Sequence, residues 1–167
     1  LFVYERVEKI PLSAGKNADI ILLLDVIEHI GDDAGFLTTL LKNRYVSKDT
    51  FFIVTAPAYP SLFSSHDTFL KHYRRYTRKS LVKTLRLSGY QAAVSGYFFF
   101  VLLFPRIFRL YLEKLKLMKS SVDGIGRWHG GTMLSGIILF ILQADAFISR
   151  IFLSMGITLP GLSVYSV

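Results

Sequence analysis

The sequence contains no cysteine and no uninterrupted apolar run of the length that a membrane span requires. Without cysteine, the chain cannot be a disulfide-stapled scaffold, hold a Cys-ligated zinc or iron–sulfur centre, or use a thiol nucleophile. The longest apolar runs are Phe98–Phe104 and Gly136–Leu142, and Gln143, Asp145 and Arg150 interrupt the region after the second run. Since a spanning helix needs about 20 apolar residues, we expect no transmembrane segment.

Positive charge is concentrated in the middle third of the chain. The 167 residues, 51% of them hydrophobic, carry a net charge of +8, which divides into −2 for residues 1–60, +10 for residues 61–119 and 0 for residues 120–167. A charge confined to one segment favours docking of an anionic acceptor or a membrane surface over nucleic-acid binding. We expect a single folded domain in the cytoplasm, or at the inner face of the membrane if the basic segment contacts lipid.

Two short apolar runs and the helical pattern between them indicate a βαβ unit. Asp19–Asp25 is an apolar run between two acidic residues, typical of a strand buried on both faces of a parallel sheet, and Thr50–Thr55 is a second apolar run. Between them, Asp32 and Asp33 can cap a helix that continues to about Asn43. Ligands of such units bind at the carboxyl ends of the strands, so we expect the functional residues there.

The rest of the chain predicts a further alternation of loops, helices and strands. In chain order, the expected elements are a long loop at 58–77, a helix at 78–87, a strand at 90–100, a basic amphipathic helix at 105–119, a glycine-rich loop at 124–131, one or two apolar helices at 133–155 and a last strand at 162–167. A long loop beside the carboxyl ends of strands is usually functional.

Six segments of the chain form an ordered series of motifs. The most informative is the stretch from Asp19 to Ile30, which reads DIILLLDVIEHI, together with the acidic pair Asp32-Asp33. The others are Phe52–Pro57, Ser65–Asp67, His72–Tyr76, Leu85–Tyr90 and, more weakly, Pro160–Val164. The series covers most of the chain and resembles the Rossmann-like (class I) S-adenosylmethionine-dependent methyltransferases, in their type 11/12-like branch.

The resemblance implies an α/β fold with a Rossmann-like methyltransferase sheet, truncated at its N-terminus, with helices on both faces and a helical insertion before the last strand. It places the core in residues 1–96 and 159–167, and the insertion, a lid or membrane-peripheral surface, in residues 97–158. The family's Gly-rich first motif and its acidic ribose-binding residue are not found in the sequence. We therefore expect this chain to be inactive as a methyltransferase by itself.

The resemblance also assigns roles to four residues at the end of the first strand. Leu24 and Asp25 would lie beside the methionine part of the cofactor S-adenosyl-L-methionine, although Asp25 could instead cap the next helix. Glu28 and His29 are the expected catalytic residues, with His29 as a general base for an acceptor hydroxyl; alternatively, they form a structural pair that shapes the turn. In related quinone-biosynthesis O-methyltransferases the equivalent group resembles a magnesium site, but histidine suits Mg²⁺ poorly, so we expect no metal.

Five residues of the long loop are expected to bind the acceptor, because this loop forms the substrate pocket in the family. They are His66, Asp67, His72, Arg75 and Tyr76. Imidazole, carboxylate and guanidinium groups together can hold an anionic or hydroxylated molecule. The alternative is that Arg74 pairs with Asp67 and holds the loop closed.

The sequence therefore predicts an enzyme that transfers a methyl group from S-adenosyl-L-methionine to an O, N or C atom of a small or lipid-like acceptor. The alternative is a non-catalytic basic domain on the same scaffold that binds a membrane surface or nucleic acid. Residues 97–119 are the candidate membrane contact, because Lys and Arg line the polar side of the expected helix at 105–119. An ordinary surface helix is the competing interpretation.

Overall fold

The computed structural model describes residues 17–117 and 131–167, which form a mixed α/β fold around a four-stranded sheet. Strand β1 (Ile20–Leu24) pairs in parallel with β2 (Phe51–Pro57). Strand β4 (Ser163–Ser166) runs antiparallel between β2 and β3 (Ser95–Phe98), so the strand order is β1-β2-β4-β3. The expected α/β class is confirmed.

Five helices in the described residues accompany the sheet. They are α1 (Asp33–Leu41), α2 (Ser65–Phe69), α3 (Arg78–Leu87), α4 (Phe100–Lys114) and α5 (Gly131–Ser154). The residue before the helix caps three of them: Asp32 accepts a hydrogen bond from the backbone N–H of Gly35 at 2.9 Å at the start of α1, and Ser64 with Asp67 and Thr77 with Ser80 form capping boxes at the starts of α2 and α3. These bonds satisfy N–H groups that the first helical turn leaves without partners.

The hydrophobic core lies between one face of the sheet and the helices α1 and α3. Alternate residues of β2 face this core, as the two-residue period of a strand requires. Its buried members are Leu23, Ile27, Leu37, Phe52, Val54, Ala56, Ala58, Tyr76, Leu81, Leu85 and Val164. The core therefore fixes the carboxyl ends of β1 and β2, where ligands bind in parallel α/β sheets.

The opposite face of β1 is exposed. Ile20, Leu22 and Leu24 occupy alternate positions of the strand, and each keeps 54–57% of its surface accessible. The sequence predicts helices on both faces of the sheet. In the described part of the chain, α1 and α3 pack against the core face, whereas no helix buries Ile20, Leu22 and Leu24 on the other face of β1. The prediction that β1 is buried on both faces is therefore wrong for the described residues.

Element boundaries differ from the sequence prediction around β3 and α4. The strand covers only Ser95–Phe98 of the expected 90–100, and α4 begins at Phe100, so that Pro105 lies inside the helix. The loop at 58–77 contains a short turn at Pro60–Leu62 and the helix α2. The glycine-rich loop expected at 124–131 lies almost entirely outside the described residues, whereas the helix expected to continue to residue 119 ends at Lys114.

The two helices α4 and α5 pack against each other through a buried carboxylate. Phe99 has a left-handed backbone (φ 64°) and provides no side-chain cap for α4. Asp145 of α5 takes that place, because its two carboxylate oxygens accept hydrogen bonds from the backbone N–H groups of Phe100 at 3.2 Å and Val101 at 2.8 Å. A negative charge at a helix N-terminus also interacts favourably with the helix dipole.

Helix α5 is one continuous helix of 24 residues and not a pair. Its mean hydropathy over the most apolar window is 1.8, and only 6% of that window is buried. By length and composition, α5 is therefore able to cross a membrane, which the interrupted apolar runs did not predict. The residue that most interrupts the apolar pattern, Asp145, is the buried cap of α4 and is only 4% exposed.

Candidate functional site

The carboxyl ends of β1 and β2 are tied together by a bond network between Asp25 and Thr55. The backbone N–H of Asp25 donates to the carbonyl oxygen of Thr55 at 3.2 Å and to its hydroxyl oxygen at 3.1 Å. The Thr55 hydroxyl in turn donates to the Asp25 carboxylate at 3.2 Å. Asp25 has φ 53°, a left-handed conformation that is uncommon for a residue with a side chain. It caps no helix, and both Asp25 and Leu24 are exposed at this end of the sheet.

Glu28 is a buried carboxyl group without a hydrogen-bond partner. It lies in the short turn Ile27–His29 after β1, its exposed fraction is 0%, and neither carboxylate oxygen accepts a hydrogen bond from the described residues. Burial, assisted by the nearby charge of Asp25, raises the pKa of Glu28 to about 7. Buried polar groups are normally satisfied, so Glu28 is an exception that makes this turn a candidate site.

His29 and His72 meet beside Glu28, although they come from different segments of the chain. Their rings pack edge to face with centroids 4.6 Å apart. The ligand atoms of Glu28, His29 and His72 all lie within 4.8 Å of one another. His29 is exposed, whereas the His72 side chain is only 8% exposed, and the backbone N–H of Tyr73 donates to the Glu28 carbonyl at 2.7 Å. The turn after β1 and the loop after α2 therefore form one cluster.

Asp67 holds this loop together from inside. The carboxylate is fully buried and accepts hydrogen bonds from Arg75 Nε at 2.7 Å and from Arg106 at 2.8 Å, and it bonds His72 Nδ1 at 3.0 Å. The backbone N–H of Ser64 adds a further bond at 2.9 Å. Burial alone would raise the pKa of Asp67, but the bonds from Arg75 and His72 outweigh it and hold that pKa below its ordinary value.

Tyr76 and Arg74 anchor the other end of the loop on α1. The Tyr76 hydroxyl donates to the Asp33 carboxylate at 2.6 Å, and Arg74 pairs with the same carboxylate at 2.9 Å. Burial and the Asp33 charge raise the pKa of Tyr76. The ion pair that holds the loop closed therefore forms between Arg75 and Asp67, whereas Arg74 pairs with Asp33.

The five expected acceptor-binding residues separate into two groups. Asp67, Arg75 and Tyr76 are buried and form hydrogen bonds within the protein, so their polar groups stabilise the conformation of the loop. His66 keeps partial exposure outside the cluster, and His72, whose side chain is largely buried, belongs to the cluster with His29. Burial and the nearby Arg106 charge lower the pKa of His66.

Arg106 is a site residue that sequence reasoning misplaced on the polar side of a surface helix. It reaches from α4 to the Asp67 carboxylate, the Ser64 hydroxyl and the Leu62 carbonyl oxygen. A signal was available, because Arg106 follows Leu103 by three positions and therefore shares the helix face on which that buried leucine lies. Helix α4 is thus connected to the candidate site through one guanidinium.

A cleft separate from this cluster lies at the other end of the sheet. A cleft of about 620 Å³ is found at the amino end of β2, where Phe51, Phe52, Leu85 and Tyr90 line it. That end of the sheet is opposite to Asp25, Glu28 and His29, and it carries no comparable group of titratable side chains among its lining residues. The chemistry of the described residues is therefore concentrated at the carboxyl ends of β1 and β2.

A scan of this chain against protein-family models found no match, and a search of curated proteins found no significant match either.

Proposed function

We propose that this chain contributes the acceptor side of an S-adenosylmethionine-dependent methyltransferase, which methylates an O, N or C atom of a small or lipid-like molecule. The observation that carries the proposal is the position of His29. It is exposed at the carboxyl end of β1, and His72 beside it is bonded to the buried Asp67. An exposed imidazole at this edge of the sheet can serve as a general base for an acceptor hydroxyl.

The topology supports the same assignment. Parallel strands β1 and β2 flank the helix α1, and ligands of such sheets bind beyond the carboxyl ends of the strands. Strand β4 runs antiparallel between β2 and β3, in the segment where the resemblance implies the last strand of the core.

The residues present fit one part of the cofactor. Leu24 and Asp25 are exposed where the methionine part would lie, and the left-handed backbone of Asp25 turns the chain away from the sheet at that point. The described residues include no glycine-rich turn after a strand that would hold the remaining parts of the cofactor. When bound, the cofactor supplies an electrophilic methyl group. The chain's own contribution is to align the acceptor and, for a hydroxyl acceptor, to take its proton at His29.

An acceptor with a lipid-like part agrees with the surface of α4 and α5. Val101, Phe104, Phe108, Tyr111 and Leu115 are all exposed at helical spacing along α4. Folded soluble proteins rarely leave apolar patches of this extent uncovered. We propose that this surface contacts a membrane, which places the site, linked to α4 through Arg106, close to lipid-soluble acceptors. Nucleic acid is not favoured, because the exposed surface of both helices is mostly apolar.

The primary test is calorimetry with S-adenosyl-L-methionine on the natural protein at its full length. Saturable heat is expected, and the absence of heat at millimolar ligand would contradict the enzyme assignment. Vesicle binding without cofactor binding would favour the alternative, a non-catalytic membrane-peripheral domain.

The role of His29 is tested with the substitution His29→Ala once an acceptor is found. General base catalysis contributes roughly 10²- to 10⁴-fold, so turnover should fall by that order while cofactor affinity changes little. Leu87→Ala, at an exposed position of α3, is the control and should leave both quantities unchanged. Equal losses of turnover and cofactor affinity in the His29 variant would exclude the base role.

A further inference from the structure

We propose that Glu28, His29 and His72 bind a divalent transition-metal cation of the zinc class. The three side chains offer one carboxylate oxygen and two imidazole nitrogens, all within 4.8 Å of one another. Ligand atoms around a single zinc ion, each about 2.0–2.2 Å from it, lie within such a distance of each other. The donors come from two segments that the bond between Tyr73 N–H and the Glu28 carbonyl already joins.

The first independent support is the state of Glu28. Its side chain is completely buried, yet no described residue donates a hydrogen bond to either carboxylate oxygen. A buried carboxylate without a partner is unfavourable, and buried charges in proteins are paired or coordinate metals. A cation held between Glu28 and the two imidazoles would satisfy these oxygens.

The second support is the orientation of His72. Its Nδ1 lies 3.0 Å from the Asp67 carboxylate, which is itself fixed by Arg75 and Arg106. A carboxylate acceptor at Nδ1 places the proton on that nitrogen and leaves a lone pair on Nε2. Metal-binding histidines usually donate their second ring N–H to a carboxylate or a carbonyl group in this way.

The types of ligand atom in the cluster indicate which cation would bind. Two imidazoles with one carboxylate suit Zn²⁺ or another divalent transition metal, whereas Mg²⁺ prefers oxygen ligands. Asp25 is not part of the cluster, because its carboxylate accepts the bond from Thr55. Three protein ligands leave a fourth position open on the side where His29 is exposed, and there an acceptor hydroxyl could bind and become more acidic.

The hydroxyl-binding role rests on the proposed function, but cation binding does not. As a ligand, His29 would no longer serve as the base, so the two roles of this residue are alternatives. The first experiment measures Zn²⁺ binding to the chelator-treated protein by competition with a chromophoric chelator. One equivalent is expected in the wild type, and no stoichiometric binding would overturn the proposal whatever the outcome of the methyltransferase assays.

Variants locate the site. His72→Ala, His29→Ala and Glu28→Gln should each weaken Zn²⁺ binding by at least tenfold, and Asp67→Asn by roughly 10- to 100-fold through loss of the His72 orientation. His66→Ala is the matched control, since His66 lies in the same loop but outside the cluster, and it should bind as the wild type does. Equal weakening in the His66 variant would overturn the assignment.

A second measurement is independent of any folding defect. Co²⁺ bound by two imidazoles and a carboxylate in a four-coordinate site gives visible absorption much stronger than that of the hydrated ion. Wild-type protein with Co²⁺ should show this spectrum, and His72→Ala with an unchanged circular dichroism spectrum should not. A wild-type spectrum equal to that of hydrated Co²⁺ would contradict the site.

Discussion

Asp145 of helix α5 accepts a hydrogen bond from the backbone N–H of Val101, at the first turn of helix α4, with a distance of 2.8 Å. Asp145 is a charged residue in the middle of an apolar helix, and it caps a second helix that begins 45 positions earlier in the chain. It is the buried residue of α5, and the bond fixes how the two helices sit against each other.

The Asp145 cap can be tested by substitution. Asp145→Ala should lower the free energy of unfolding by about 1–2 kcal/mol, the usual cost of removing a helix cap. Asp145→Asn retains one acceptor oxygen and should cost less. Urea unfolding followed by circular dichroism measures both, and Gln143→Ala, an exposed neighbour on α5, should change stability little. An Ala variant as stable as the Gln143 variant would show that the cap contributes nothing.

The Asp67 carboxylate should be more important for stability than any one of its cationic partners. Asp67→Asn leaves Arg75 and Arg106 buried without a counter-charge, and breaking a buried pair in this way costs about 3–5 kcal/mol. Arg106→Met should cost less, because Arg75 and His72 still satisfy Asp67. The more exposed pair of Arg109 with Glu113 is the comparison, and disrupting it through Glu113→Gln should cost about 0–1 kcal/mol. Chemical denaturation would contradict this order if Asp67→Asn were no less stable than Glu113→Gln.

Tyr90 predicts a loss of stability at alkaline pH. Burial raises the pKa of its hydroxyl from 10.0 to about 12, and the hydroxyl donates to the Leu37 carbonyl at 3.0 Å. Because the unfolded chain ionises first, this group stabilises the fold below pH 10, and the stabilisation is lost as the pH rises from 10 to 12. The loss amounts to about 2–3 kcal/mol at 1.36 kcal/mol per pKa unit.

The contribution of Tyr90 is isolated by comparison with Tyr90→Phe. Wild type and variant are unfolded in urea at several pH values, and the difference between their unfolding free energies is plotted. That difference should be constant below pH 9 and should shift in favour of the Phe variant above pH 10. Parallel curves up to pH 12 would contradict the raised pKa.

Membrane contact through α4 depends on its exposed phenylalanines. Burial of a phenylalanine side chain contributes about 1.5–3 kcal/mol, so Phe104→Ser with Phe108→Ser should reduce binding to anionic vesicles by at least about 100-fold. Co-sedimentation measures this. The control replaces two equally exposed apolar residues outside the α4–α5 surface, Phe51→Ser and Leu87→Ser, and should sediment as the wild type does. Equal sedimentation of all three proteins would remove α4 from the contact.

Local patterns predicted the first half of the fold well. The apolar run before Asp25, the acidic cap at Asp32 and the leucines of α3 each determine structure through neighbours a few positions away, and all three elements appear where the sequence places them. The start of α4 could not be predicted in this way. Pro105 indicates a helix start by local rules, whereas the actual start at Phe100 depends on Asp145, far along the chain.

The sequence predicted which residues belong to the candidate site better than it predicted how those residues contact each other. The motif resemblance, together with the place of these residues after the strands, singled out Glu28, His29, Asp67 and His72. The choice between Arg74 and Arg75 as the partner of Asp67 could not be made, because the two side chains are chemically identical and only the backbone direction beside Tyr76 decides which one points inward. The contact from Arg106 depends on the packing of α4, which no local pattern encodes.

The position of β4 in the sheet has a consequence for biosynthesis. Within the described residues, β3 has β4 as its strand partner and does not touch β2 directly. About 65 residues separate the end of β3 from the start of β4. At ordinary translation rates, β4 is therefore synthesised roughly 3–13 s after β3. During that interval, the edge of β2 and the apolar helices are exposed on the nascent chain. The sheet is therefore completed only after α4 and α5 have been synthesised.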